Sequence, residues 1–569
     1  MEKNSLGFGA MLLGCAVKSI YPTAKLGGGL VNDLGFYYDF EFSVPVKTED
    51  LKKIEDEIKR LSKRPEVSTT EKSRSEAVKL FDKVGEPYLV ELVGKGKTNV
   101  VKLGNTSMIL NFEIGDKAPI VQLTQITGAY WKGDAKNKML TRIYGVAFKT
   151  KEELATWNEV QEEIKRRDHN KIGRELEYFA TDPLIGQGLP LLLPKGAKII
   201  KTLQRFVEDT EQRWGYDQVF TPDFSKSDLF KASGHWKHYK DGMFVIGDER
   251  LDDEVFALRP MTCPFHIAIY KTQLRSYRDL PIRYSETAKQ YRNENSGEMH
   301  GLTRVRQYTL SDGHVFCRPD QVQEVFDECL QLVEFFAKSL GIADKIWYRF
   351  SKWDPNNREK YIDNKTAWEQ SESEIRKVLV RNNLKFTEAA DEAAFYGPKI
   401  DIQARNVHGK EDTLFTVQLD FALASRYDIS YIDENGSKQT PFIIHRGSVG
   451  AYERLFAFLI EHFAGSLPVW LSPVQAVVMG ISNKQDDYVA TVHKQLLKSN
   501  IRAERDIRAE KVGYKIREHS KKKVPFQIVV GDKEREDNTI SVRTREGQDL
   551  GVMSLDQFIA RTDFYTPTE

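Results

Sequence analysis

The chain has 569 residues, too many for a single hydrophobic core and enough for roughly three or four domains. Hydrophobic residues make up 40% and charged residues 29%, which excludes a disordered chain, and 84 Lys+Arg against 83 Asp+Glu leave a formal charge of +1, so any RNA contact has to come from a local patch. Four cysteines exclude a disulfide framework and fit a reducing, cytoplasmic setting, and no apolar run is long enough to span a bilayer.

In chain order, the small apolar stretch Leu6 to Val17 predicts a buried helix. Its Leu12-Leu13-Gly14-Cys15 has the look of a lipoprotein cleavage box, an export reading with no second signal behind it. Gly27-Gly28-Gly29 lacks the lysine of a phosphate loop and predicts a turn, Phe36 to Phe42 a strand, and Glu49 to Arg64 a solvated helix. The segment Met1 to about Gly145 thus mixes strands and helices. Thr150 to Phe179 is strongly charged and helical in pattern, and a domain boundary is expected there. An apolar face of Ile199, Leu203, Phe206 and Val207 predicts the helix that leads to Thr221-Pro222. Aromatic-rich strand candidates fill Leu184 to Trp470, and Pro468 and Pro473 mark the end of that region. The last hundred or so residues alternate short apolar strands (Ala476 to Met479, Phe526 to Val530) with amphipathic helices (Asp486 to Lys498, Gly513 to His519), the pattern of a small α/β domain. No phosphate-binding G-x-x-x-x-G-K-[ST] loop and no Rossmann glycine fingerprint is present, so a nucleotide would have to be held another way.

Two segments carry phosphate-binding chemistry. Tyr291-Arg292-Asn293-Glu294 precedes a polar loop and Arg304-Val305-Arg306; arginine can fork two phosphate oxygens, and a carboxylate can accept from an adenine amino group. Gly447 to Arg454 precedes the apolar helix Leu455 to Phe463, and places an arginine able to stack on a base and reach a phosphate. Taken alone, the first is more often a surface ion pair, and the second is equally weak.

Together with Thr221-Pro222, these segments fall in the order of motifs 1, 2 and 3 of class II aminoacyl-tRNA synthetases, which they resemble. Leu258-Arg259-Pro260-Met261-Thr262-Cys263-Pro264, Tyr308 to His314, Phe395 to Asp401, Thr416 to Phe421 and Ile444-His445-Arg446 look like signatures of the threonyl-tRNA synthetase family. The resemblance covers essentially the whole chain. It implies an α+β multidomain fold: a degenerate editing-like domain over 1–148, a helical linker over 149–182, a catalytic domain with an antiparallel sheet flanked by helices over 183–470, and an α/β anticodon-binding domain over 471–569. It implies ATP-dependent formation of threonyl-adenylate, transfer of threonine to tRNA(Thr), and a homodimer built through motif 1.

The family's zinc ligands fall on Cys263, His314 and His445, residues that without the resemblance read as packed core. Three protein ligands leave an open position. By the same resemblance Asp312 would hold the threonine ammonium with help from Tyr396, and Gln418 would line the pocket. Arg292, Glu294, Arg304, Gln418 and Arg454 would bind ATP with magnesium, and Lys399 would meet a nearby phosphate or carboxylate. Arg292, Arg454 and Lys399 are the expected catalytic groups. Glu534 and Arg543 would read anticodon bases, and Lys515, Arg517 and Lys521-Lys522-Lys523 could meet tRNA phosphates.

The chain also departs from the family. Met1 falls almost at the first helix of the family's editing domain, so the ubiquitin-like domain that usually precedes it is not expected. The H-x-x-x-H and C-x-x-x-H positions of the editing site fall on Gly7, Met11, Ser107 and Asn111, which cannot do the same acid–base or ligand work, so loss of seryl-tRNA hydrolysis is expected. Leu310 stands where a glutamine is usual, Thr262 and Phe265 replace an asparagine and a glycine, and Ala509 replaces an asparagine in the anticodon domain. A paralogue with a different acyl transfer, or a silent RNA-binding relative, is disfavoured because the zinc-ligand positions and both motif arginines are kept.

Overall fold

The structure is a computed structural model that describes residues 2–32, 34–63, 65–109, 112–134 and 136–568. The chain divides into two compact units, Met1–Glu163 and Ile164–Glu569.

In the first unit the helix Lys3–Ile20 is buried from Ser5 to Val17, as its small apolar residues predict. It belongs to one core with the aromatic strand Gly35–Glu41, which pairs with Lys25–Asn32 and Met139–Phe148 in a four-stranded sheet. Two expectations need correction here. The glycine cluster is no turn: it lies inside the strand Lys25–Asn32 and forms a bulge between Leu26 and Gly29. Pairing with the aromatic strand overrides the local turn preference, and a bulge tolerates glycine well. The helix Leu51–Ser62 is no solvated rod either. It buries Leu51, Ile54 and Ile58, a stripe at helical spacing hidden among charges.

The charged stretch after Thr150 forms two helices, Lys151–Arg167 and His169–Glu175. They break at Asp168, whose side chain accepts from the amides of Asn170 and Lys171.

The second unit is built on an eight-stranded sheet. Its strands are β1 (Asp217–Gln218), β2 (Ile282–Tyr291), β3 (Gln307–Cys317), β4 (Ile346–Ser351), β5 (Phe386–Ala389), β6 (Lys399–Arg405), β7 (Glu411–Asp420) and β8 (Phe442–Ala451). Their spatial order is β1-β2-β3-β8-β7-β6-β4-β5. The inner pairings are antiparallel, and only the short outer strands β1 and β5 pair parallel. One face of the sheet is covered by helices: Pro194–Arg213, with Ile199, Leu203, Phe206 and Val207 buried, Val322–Ser339 and Tyr452–His462 contribute to one large core. The opposite face carries the short helix Cys263–Tyr270, which packs on Tyr284, Phe316 and Ile443.

The C-terminal part has its own core and a five-stranded sheet. Ala476–Gly480 runs parallel to Ala503–Asp506 and Phe526–Val530, and Ile540–Thr544 and Asp549–Met553 continue antiparallel. Among the described residues, no helix is long and apolar enough to cross a membrane.

Candidate active site

Sheet register assembles the site. His314 on β3 pairs with His445 on β8, His445 pairs with Gln418 on β7, and Gln418 pairs with Lys399 on β6. Directly paired residues point to the same face, so four residues spread over more than a hundred positions stand in one row. Asp312 lies two residues before His314 and shares its face. Over this face sits the short helix Cys263–Tyr270, which presents Cys263 at its first position.

Donor atoms of Cys263, His314 and His445 lie within 4.8 Å of one another, and all three residues are buried. Both imidazoles are tied from behind. His445 Nε2 meets Asp420 Oδ2 at 2.9 Å, and Asp420 is fixed by the amides of Ala422 and Leu423. His314 Nδ1 meets His266 Nδ1 at 2.8 Å, and His266 Nε2 meets Glu286 Oε2 at 3.2 Å. A contact between two ring nitrogens needs one proton between them. With Glu286 accepting from His266 Nε2–H, neutral His266 accepts from His314 Nδ1–H. His314 Nε2 then offers a lone pair to the cluster, and His445 offers Nδ1.

Electrostatics fit a cation at this point. Burial, then the carboxylates of Asp420 and Asp312, push the Cys263 thiol well above its ordinary range, so a thiolate there needs a positive charge beside it. Burial, then the neighbouring His445 and His266, push His314 well below its ordinary value, into the neutral form that binds metals. A sulfur and two imidazole nitrogens form a donor set suited to a transition metal such as zinc.

These residues line a cavity of 610 Å³ that also contains Arg292, Glu294, Arg304, Asp312, Tyr396, Lys399 and Gln418. Asp312 Oδ2 accepts from Gln290 Nε2 at 3.1 Å, and Gln290 in turn accepts from the Tyr308 hydroxyl and donates to Thr262. Tyr396 stacks on His445, with ring centroids 5.0 Å apart, and donates to Gln418 Oε1 at 2.8 Å. Lys399 is held by Asp401 at 2.7 Å. Glu294 is forked by Arg304, which also reaches Glu298. Arg292 opens onto the cavity with its guanidinium 5.5 Å from the Tyr308 ring, and that phenol favours its charged form. Arg454 lines an adjoining 220 Å³ pocket together with Arg292, Arg304 and Gln418, and donates to the carbonyls of Thr303 and Thr413. Leu310 lines both cavities.

Elsewhere, Glu534 is turned back onto its own helix, accepting from the amide of Gly531 at 2.8 Å, and Arg543 lies on the strand Ile540–Thr544. Lys515 is corrected: it is buried and donates to the carbonyl of Asp506 at 3.1 Å, so it serves the fold and cannot also meet a phosphate. In the first unit Met11 is fully buried in the apolar core and Ser107 is half-buried on the strand Thr106–Ile109. At Gly7 an added Cβ would lie 2.3 Å from the Glu113 carbonyl and 2.7 Å from the Phe112 ring, so no histidine fits there without movement. Asn111 lies outside the described residues.

Residues 244–463 match the tRNA synthetase class II core domain (G, H, P, S and T), and residues 475–562 match the anticodon binding domain. The threonine–tRNA ligase of Clostridium botulinum (strain Alaska E43 / Type E3) is 54% identical over 558 residues, covering 97% of this chain and 86% of that relative. The chain belongs to the threonine–tRNA ligase family. The ligase of Anoxybacillus flavithermus (strain DSM 21510 / WK1) is 43% identical over 559 residues, with the same coverage of 97% and 86%. A crystal structure described as the RNA binding domain of threonyl-tRNA synthetase from Cryptosporidium parvum Iowa II superposes with a TM-score of 0.66 at 32% identity, over 71% of this chain and 99% of that one. The fold is that of a class II synthetase core with an anticodon-binding domain, and the activity is the ATP-dependent joining of L-threonine to tRNA.

Sequence reasoning missed the residues behind the ligase's cluster. His266 was visible as the second member of Cys263-Pro-Phe-His266, a C-x-x-H pair on one helix. Glu286 and Asp420 become neighbours of their histidines only through the fold. Arg446 stands in the sequence only as the last residue of the Ile444-His445-Arg446 signature. It proves to be fully buried, paired with Glu211 at 2.6 Å and lying 4.0 Å over the Tyr216 ring.

Proposed function

We propose that this threonine–tRNA ligase selects its amino acid through one zinc ion held by Cys263, His314 and His445. The observation that carries the reading is the convergence of a buried thiol and two imidazoles, each imidazole tied by its outer nitrogen, beside Asp312 in the 610 Å³ cavity. Bound there, zinc would supply two coordination positions, one for the amino nitrogen and one for the β-hydroxyl of threonine, by expanding to five ligands. An apolar pocket rejects an isostere that differs only by a hydroxyl by no more than about a hundredfold, which makes a group sensing the β-oxygen necessary.

The chain's own residues do the rest. Asp312, held by Gln290, accepts from the N–H of the threonine amino group. Tyr396, anchored on Gln418, closes the pocket beside it. The threonine carboxylate attacks the α-phosphorus of ATP, the bond from that phosphorus to the α,β-bridging oxygen breaks, and pyrophosphate leaves. Arg292 and Arg454 stabilise the charge that develops on the phosphates, while Glu294 and Arg304 orient the nucleotide and magnesium accompanies it. Lys399, poised by Asp401, meets a phosphate or the carboxylate. The adenylate then passes its threonyl group to the terminal ribose of tRNA(Thr), with no covalent enzyme intermediate. Glu534 and Arg543 read the anticodon, and two copies associate through the motif 1 region in a reducing cytoplasm.

The editing-like domain over 1–148 hydrolyses no seryl-tRNA. The burial of Met11 and the tight closure of Gly7 on Phe112 support this, because neither place offers a group able to carry a proton. The deciding experiment is aminoacylation with threonine, serine and valine side by side, with zinc measured on the same sample. Threonine should charge, valine should not, and seryl-tRNA should persist. A metal-free active protein, or equal charging of valine, rejects the zinc reading; rapid loss of seryl-tRNA rejects the editing reading.

A further inference from the structure

Outside the active cavity, three side chains from distant parts of the second unit meet. Asp168 caps the helix His169–Glu175 through Oδ1, which accepts from Asn170 N at 2.8 Å and Lys171 N at 3.1 Å. Its other oxygen lies 3.9 Å from Nε2 of His408, at the tip of the β6–β7 turn. His300 comes from the β2–β3 loop, where it exchanges backbone hydrogen bonds of 3.2 and 3.3 Å with Arg304. One donor atom each from Asp168, His300 and His408 lies within 4.8 Å of the other two.

The neighbouring His169 shows what a satisfied histidine looks like here. Its Nδ1 meets Glu461 at 2.6 Å and its Nε2 accepts from Leu302 N at 3.1 Å, so it is fully used by the fold. The rings of His300 and His408 stand edge to face, 5.9 Å apart, and among the described residues their ring nitrogens make no hydrogen bond to protein. The position of His300 is not accidental. Gly301 has φ +50, and an added Cβ would lie 2.1 Å from His169 Nε2, so only glycine lets the loop press down and bring His300 beside Asp168. His300 and His408 are exposed and Asp168 is half-buried, and partial desolvation, then the neighbouring His169, lowers the pKa of His300 toward its neutral form.

We propose that Asp168, His300 and His408 bind a second divalent transition-metal ion, separate from the cysteine-containing cluster. Two imidazoles and a carboxylate favour the zinc, nickel and cobalt class over magnesium or calcium, which prefer all-oxygen shells. Side-chain rotation brings the donors from their present spacing to bonds of roughly 2.0–2.2 Å, and the solvent-facing side leaves room for water ligands. Such an ion ties the loop that carries Arg304 and Arg306 to the helix start and to the β6–β7 turn. The site therefore acts on the loop that borders the nucleotide cavity.

The test counts metal by equilibrium dialysis of the full-length protein against Co²⁺, with absorption spectra taken on the same samples. The unchanged protein should take two equivalents, only one of them showing a thiolate-to-cobalt charge-transfer band. His408→Ala and His300→Ala should each weaken the band-free equivalent by more than about tenfold and keep the other. Cys263→Ser should do the reverse, so failure of the cleft reading and failure of this one are told apart. A single equivalent removed by Cys263→Ser, or two equivalents kept by both histidine variants, overturns the second site. As a further check, Asp168→Asn keeps an oxygen for the helix cap but loses the charge, and should also weaken only the band-free equivalent.

Discussion

Replacing His266 tests the architecture behind the metal cluster most directly. His266 is fully buried and makes two polar contacts, one to His314 Nδ1 and one to Glu286. In His266→Ala the Nδ1–H of His314 loses its acceptor in a dry interior, at a cost of about 1–3 kcal/mol. Glu286 keeps Arg259 and Thr221 as partners, so its own loss is small. At about 1.4 kcal/mol per tenfold, zinc should bind roughly 5- to 150-fold more weakly, in line with the 10- to 100-fold usual when an outer partner of a metal-binding histidine is removed. His266→Asn places its carbonyl oxygen near the lost Nδ1 and should recover most of the affinity, whereas His266→Leu should not. Competition with a chromophoric chelator gives the affinity, and thermal melting of each variant shows whether it is folded. If folded His266→Ala holds zinc as tightly as the unchanged protein, the proton placement described for His314 is wrong.

Three further perturbations bear on the rest of the structure. Glu211→Ala leaves the Arg446 guanidinium buried without its partner and should destabilise the second unit by about 3–5 kcal/mol, while Glu211→Leu with Arg446→Met should restore most of it, as read from denaturant unfolding. Burial pushes the Glu453 carboxyl up from 4.5 to about 7, against a hydrogen bond from the Thr309 amide. The folded protein therefore holds this proton more tightly than the unfolded chain, and stability should fall by about 3 kcal/mol as pH rises across that interval; Glu453→Gln should flatten that slope, and an unaltered slope would refute the assignment. Arg454→Ala should cut threonine-dependent ATP–pyrophosphate exchange by more than about 100-fold, and unchanged exchange would remove it from the catalytic groups.

Local physics made some of the fold legible and hid the rest. The helix Lys3–Ile20 and the two helices of the C-terminal sheet region announce themselves through composition and periodicity, because their buried faces are written in consecutive residues. Gly27 to Gly29 misled because glycine marks both turns and bulges, and only the partner strand decides between them. Lys515 misled because a lysine in a basic helix is usually solvated, and its burial depends on where Asp506 ends its strand. The active site shows the same limit. Cys263, His314 and His445 obey no ligand spacing and were identified by resemblance; Glu286 and Asp420 carry no local signal, since strand pairing and helix packing bring them to their histidines.

The row His314–His445–Gln418–Lys399 crosses three inter-strand gaps, roughly 14 Å in all. Under the proposed function it works as a ruler, with the amino acid bound at the histidine pole and a phosphate or the carboxylate at the Lys399 pole. Because neighbouring residues on a strand face opposite ways, a slip of β8 by a single residue would turn His445 away from the cleft and break the row between its two poles. On that reading, selection of the substrate and its activation are locked to one alignment of strands, and neither can drift without the other.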